Sequence, residues 1–187
     1  MEFDVEQIGE SSLAVTVEEQ KLYSRVDGDD EDEMIEMLIR GVTQEAEDIT
    51  HRLFPQRMMI VRCVCDGSPV TLPVMPVASI NSVKIDGEAI DRNLYTASLP
   101  SSTGRHIRPA VIEPLDGFPK EGRMEIAVTA GTPKIPTPVL IWIKTRVSTL
   151  YEQRESHAMF NTGLKFTELG RDYALALLDP YIIHGGF

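Results

Sequence analysis

Long apolar runs are missing from this sequence. The longest strictly apolar stretch beside a helix is Val139 to Ile143, far below the roughly 20 residues that a membrane-spanning helix needs, so no membrane role is expected. The first residues, Met1-Glu2-Phe3-Asp4-Val5-Glu6, have neither a basic region nor an apolar core and do not read as a secretory signal. Cysteine is nearly absent. Cys63 and Cys65 are the only two, too few for a disulfide framework and without the second pair that a zinc site requires. Their spacing puts both on one face of a strand, where reduced thiols are expected. The four histidines, His51, His106, His157 and His184, have no metal-ligand spacing. The sequence has no Gly-x-Ser-x-Gly, no phosphate-cradling glycine loop and no His-Glu-x-x-His. No carboxylate pair stands in a recognisable acid–base context. No catalytic residue, metal site or cofactor is therefore assigned, and the expectation is a protein that is not an enzyme.

Positive charge is scarce in one half. Residues 1–50 hold 16 acids and 3 bases, whereas residues 51–187 hold 13 acids and 15 bases, for a net charge of −11. A protein that grips DNA phosphates is usually basic. DNA near this one would be passed along rather than held.

The stretch from Asp27 to Leu53 dominates what is present. An acidic run, Asp27-Gly28-Asp29-Asp30-Glu31-Asp32-Glu33, leads into Ile35, Leu38, Val42, Ala46, Ile49 and Leu53, a 3–4 spacing that predicts one stripe of a long helix. Glu36, Arg40, Gln44, Glu47 and His51 fall on the face expected to meet water. Asp29 or Asp30 is the expected N-cap, with Glu33 at the capping-box offset from Asp30, and Pro55 the expected stop. An EF-hand register starting at Asp27 fails, because its sixth position is Asp32 rather than Gly and its twelfth is Leu38 rather than Glu.

Ahead of that helix, Thr16 is a plausible cap for a short helix over Val17–Val26, ended by Asp27-Gly28. After it the period changes. Met58–Cys65, Val70–Leu72, Ile80–Ile85, Glu88–Ile90, Leu94–Leu99, His106–Ile112 and Arg123–Thr129 read as short strands separated by turns, an antiparallel meander. Thr137 and Pro138 then open a second long helix with Val139, Ile143, Val147 and Leu150 on one stripe. It is expected to end near Glu155 or Ser156, followed by a loop from His157 to Phe166 and a last short helix over Glu168–Leu178. The predicted fold is α+β: one domain over 1–187, a helical core from 16–55 and 136–180, an inserted β region over 56–131, and loose arms at 1–12 and 181–187. The two long apolar stripes are expected to pack on each other.

The order of these pieces carries a resemblance. Leu13-Ala14-Val15-Thr16-Val17-Glu18-Glu19-Gln20-Lys21-Leu22, Arg25-Val26-Asp27 and Asp30-Glu31-Asp32-Glu33-Met34-Ile35 resemble the opening of tailed-phage head–tail connector proteins, the adaptor or head-completion family. The match continues through Glu45–Thr50, Leu72-Pro73 with Val77, Ile80 and Val83, Val128–Gly131, and Ile135-Pro136 with Pro138. It ends with Leu150–Glu155 and Leu177-Leu178-Asp179-Pro180-Tyr181. One departure is Ile182, where the family commonly has a basic residue.

The resemblance implies a non-enzymatic virion protein at the head–tail interface, made in the bacterial host cytoplasm. It implies a ring of about a dozen copies below the portal that extends the DNA channel and offers a platform to the stopper or tail. Its partners would be copies of itself, the portal and a stopper or tail-completion protein, with double-stranded DNA passing through without sequence-specific binding. On that reading Asp29, Asp30, Asp32 and Glu36 are candidates for the channel lining or the subunit interface, and Leu178, Tyr181, Ile182 and Phe187 for a tail that docks on the portal, the alternative to reading the apolar stretch Leu175–Phe187 as the last core helix. Three alternatives stay open: a tail-completion or stopper protein, a small hydrolase, and an acidic module that mimics DNA.

Overall fold

The computed structural model describes residues 2–101, 105, 107–159 and 175–183, and for 154–159 the backbone only. The fold is α+β, and the chain divides into two compact units where one domain was expected. One comprises residues 1–12, 52–134 and 183–187, the other residues 13–51 and 135–182.

The first unit is built of strands. Its elements are β1 (Asp4–Ile8), β2 (Arg57–Cys65), β3 (Val70–Thr71), β4 (Val77–Ile85), β5 (Glu88–Ala89), β6 (Tyr95–Ser98), β7 (Val111–Pro114) and β8 (Gly122–Ala130). They form a five-stranded sheet in the order β1-β2-β8-β4-β5 and a three-stranded sheet in the order β3-β7-β6. This is not the expected meander, because β2 and β8, the first and last strands of the insertion, lie side by side. Their antiparallel register runs unbroken from Arg57↔Ala130 to Cys65↔Gly122. Alternation sends Met59, Val61, Cys63 and Cys65 of β2, with Met124, Ile126, Val128 and Ala130 of β8, into an apolar core. Val70, Leu72, Tyr95 and Ile112 enter the same core, so the two sheets share it. Both thiols are free and buried, and burial pushes the Cys63 thiol up from its ordinary value.

Residues 1–12 are not a loose arm throughout. β1 pairs in regular antiparallel register with β2, from Asp4↔Arg62 to Ile8↔Met58, and Phe3 packs against the core. The strand was illegible because its own side chains are all exposed. It is ordered by a partner more than fifty residues away.

The second unit is helical, with α1 (Val17–Ser24), α2 (Asp32–Thr50) and α3 (Thr137–Met159). Thr16 caps α1 as expected, its hydroxyl accepting from the Glu19 amide at 3.2 Å. The helix ends two residues early, with Arg25 in the left-handed conformation at φ 56°. In α2 neither Asp29 nor Asp30 is the cap. Glu31 occupies that position without a side-chain cap bond, and Asp29 instead holds Lys21. His51, left-handed at φ 54°, ends α2 before Pro55 can. Leu53 lies outside the helix, its amide donating to the Met75 carbonyl at 2.8 Å. The buried stripe is Ile35, Ile39, Val42, Thr43, Ala46 and Thr50, rotated from the one expected, and Glu47 is buried rather than facing water. The stripe of α3 holds, with Val139, Ile143 and Val147 buried beside Trp142. α3 continues through His157 to Met159, where a loop was expected. The remainder of that loop and most of the last predicted helix lie outside the described residues.

Two glycines give opposite expectations. Gly131 has φ +110°, and a Cβ there would meet the Pro55 carbonyl oxygen at 2.4 Å and Gln56 Cα at 2.8 Å, both backbone atoms. Gly131→Ala should destabilise the chain by at least about 2 kcal/mol. Gly41, within α2, has nothing within 4 Å of a Cβ, so Gly41→Ala should stabilise by up to about 1 kcal/mol. Urea denaturation of both variants checks the signs.

Candidate assembly surface

The helical unit is fastened by polar contacts as much as by apolar ones. α1 buries glutamine: Gln20 is 1% exposed, while Leu22 is 83% exposed. The Gln20 amide nitrogen donates to the Ser24 hydroxyl at 2.8 Å, the Lys144 carbonyl at 3.1 Å and the Ser148 hydroxyl at 3.2 Å. Tyr23 and Thr145 share a hydrogen bond at 2.9 Å, and Lys144 pairs with Glu19 at 3.2 Å. These contacts hold α1 on α3. α2 and α3 pack on each other as their stripes predicted, and Arg146 grips Glu45 through two bonds of 3.2 Å. The Tyr151 hydroxyl donates to Glu31, which ties the acidic run to the far part of α3.

The candidate acids divide into two kinds. The Lys21 ammonium stands between Asp29 and Asp32, 2.7 Å from a carboxylate oxygen of each. Sequence reasoning passed over Lys21. The only signal was a single base eight and eleven residues ahead of two acids. Hydrogen bonds that the ammonium donates to the two carboxylates raise the lysine's pKa, and the same contact holds the Asp29 carboxyl below its ordinary 3.8. Glu36 pairs with Arg40 one turn on, at 2.8 Å. Asp30 is exposed. Three of the four acids therefore have cations of this chain beside them, and Asp30 stands at the surface.

Burial separates the tail candidates. Leu178 is 0% exposed and Tyr181 6%. A single 3₁₀ turn over Asp179–Tyr181 carries them, with the Tyr181 amide donating to the Leu178 carbonyl at 2.8 Å. These two side chains are core anchors rather than a free docking surface. Ile182 is half-buried, and Phe187 lies outside the described residues.

A second charged array lies on the strand unit, unanticipated by the sequence. Arg62, on the face of β2 turned away from the core, reaches Glu6 at 2.8 Å and Asp4 at 3.3 Å on β1, and Glu125 at 3.3 Å on β8. Lys84 on β4 extends it to Glu125 at 3.9 Å. The three carboxylates raise the Arg62 pKa, Glu6 contributing most. Among the described residues no group of three metal-ligating side chains is assembled, and no helix is long and apolar enough to cross a membrane.

A chain in the neck of an empty gene transfer agent particle, computed with C6 symmetry, superposes with a TM-score of 0.70 at 17% identity, covering 98% of this chain and 97% of that one. A chain of the native gene transfer agent virion gives 0.71 at 17% identity, with the same coverage. One from the native neck computed with C12 symmetry gives 0.65 at 16%, again with that coverage. This chain has the fold of a gene transfer agent neck protein. No family model matches the sequence, and no curated protein is significantly similar to it.

In the native chain the Asp29 carboxyl should titrate below 3.8, and Lys21→Gln should return it toward that value, as read by carbon-detected NMR titration. Because the folded pKa is the lower one, the contact's contribution is present above the unfolded value and is lost as pH falls through the folded one. Leu178→Ala should cost about 2–5 kcal/mol in the isolated chain, measured by thermal and urea unfolding. An unchanged stability would return Leu178 to the list of surface residues.

Proposed function

We propose that this chain is a structural head–tail connector of a tailed phage or phage-like particle, an adaptor that closes into a ring below the portal. It would extend the DNA channel and give the stopper or tail its seat. The observation that carries this reading is the near-complete overlap with the neck chains, whose symmetry of six and twelve suits a ring. The resemblance in the order of the sequence motifs supports the same reading independently. The role is non-enzymatic, and its place is the virion.

Charge suits the task. The helical unit has 17 acids and 8 bases, the strand unit 12 and 10. Exposed acids such as Asp27, Asp30 and Glu33 would repel passing DNA over about a Debye length, roughly 8–10 Å in physiological salt. The intrachain cations on Asp29, Asp32 and Glu36 weigh against a DNA mimic, which has to display its acids in open array.

Particles assembled without this chain should contain full heads that lack tails or leak DNA, as seen by electron microscopy. Intact tailed particles without it would overturn the proposal. Charge reversal at Asp27, Asp30 and Glu33 together should impair DNA retention or ejection. Wild-type behaviour would remove the channel-lining part alone and leave the neck role standing.

A further inference from the structure

The two edges of the five-stranded sheet are treated differently. On one side β4 is broken by register shifts between Val77 and Ser79 and between Ile80 and Ser82. The short hairpin strand β5 then covers its end. Bulges and short covering strands are the usual protection of an edge. On the other side β1 has none of these. Its pairing with β2 is regular over all five residues, and it contains neither proline nor lysine. Val5 and Ile8 are exposed at 39% and 41%. Its acids would be the remaining protection, but Arg62 draws Asp4 and Glu6 over the outward face of the sheet and away from the backbone edge, and, shared with Glu125, this one guanidinium leaves them a net negative charge. Phe3 anchors the strand in the core. Among the described residues no strand pairs with the outer side of β1, and an edge this regular offers its outward amides and carbonyls to a further strand.

We infer that the free edge of β1 is the strand-docking site through which one copy of this chain takes hold of the next in the ring. The inference rests on the ring reading above. The occupant is a second copy, and charge excludes the simplest way of arranging it. Two β1 strands paired about a two-fold axis in full antiparallel register would set Glu6 opposite Glu6. A slip of the pairing one way sets Asp4 opposite Glu6, and a slip the other way shortens the overlap to Glu6–Ile8. Like charges directly opposite are destabilising. β1 therefore docks against a different segment of its neighbour. A contact between unlike surfaces is the kind that propagates around a ring instead of ending in a dimer.

Hydrogen exchange resolved to single amides, on the isolated chain and on the same chain in assembled rings or particles, tests this. In the isolated chain the outward amides of Asp4–Ile8 should exchange freely. In the ring they should slow at least tenfold, in alternation, as antiparallel pairing requires. Rings in which β1 exchange is unchanged overturn the inference and leave the ring reading intact. Failure to form any ring, even on the portal, overturns both. A two-fold dimer held through β1 overturns the inference as well. Proline substitution gives a second readout. Of Val5→Pro and Glu6→Pro, one removes an inward donor and the other an outward one. The outward one should leave the melting curve in place while abolishing rings. Rings from both variants would count against the edge.

Discussion

Everything in the strand unit depends on the pairing of β2 with β8. These strands begin and end the insertion, and their nine-residue antiparallel register brings its two ends together. The Phe54 carbonyl accepts from the Thr132 amide at 2.8 Å and the Pro76 carbonyl from Gly131 at 2.8 Å, fastening the neck of the insertion beside the Arg57↔Ala130 pair. A chain that leaves α2 and returns to α3 through adjacent points lets those helices remain neighbours, whatever length of sheet lies between. A slip of β2 by one residue would turn Val61 and Cys63 out of the core and Arg62 into it. The register is thus fixed by the same alternation that makes the core. Gly131 is the residue that closes it, because only glycine fits at φ +110° against the Pro55 backbone.

How much of this was legible differs by element, for physical reasons. The interiors of β2, β4 and β8 and the stripe of α3 follow from local alternation or 3–4 spacing, since their burial is decided by their own side chains. The ends of the helices were less legible. Asp30 and Glu33 have the spacing of a capping box, yet Lys21 takes Asp29 and Asp32 as counter-ions, and a salt contact between two elements overrode a local cap. Arg25 and His51 end their helices in left-handed backbone, a position where glycine was the expected signal. β1 gave no signal because its stabilising partner is Arg62, far along the chain. For Leu178 and Tyr181 the local pattern left a core element and a docking tail both open, and a short 3₁₀ turn carries them in the interior. The common cause is that tertiary partners decided what local pattern left open.

The candidate surface was legible as composition but not as geometry. The sequence places the acids correctly in one segment. It does not reveal that their neutralisation is selective. Lys21 pairs with Asp29 and Asp32 and Arg40 with Glu36, whereas Asp27, Asp30 and Glu33 are exposed. Quenching serves folding, because a helix that begins within a run of six acids from Asp27 to Glu33 would otherwise repel itself. Exposure serves solubility and, on the neck reading, passage of a polyanion. One run of charge thus meets two demands, which explains why a simple acid count overstates the charge available to a partner.

The division into a helical and a strand unit has a consequence for assembly. A subunit that closes a ring must present two unlike surfaces, one to each neighbour. In a single core with one apolar seam, both surfaces would compete for the same exposed residues. On the ring reading the sheet would supply the outer edge of β1, which no described strand covers, with affinity that comes from amides and carbonyls. The helices supply a charged, side-chain-defined surface with an exposed Leu22 and Met37. Backbone pairing gives strength without selectivity, and opposed carboxylates on β1 disfavour pairing with itself. Side-chain chemistry elsewhere can then set which copy follows which. Built in this way, a subunit can stay separate at low concentration because its most adhesive edge cannot pair well with its own image, and still join once a symmetric platform has set neighbours side by side.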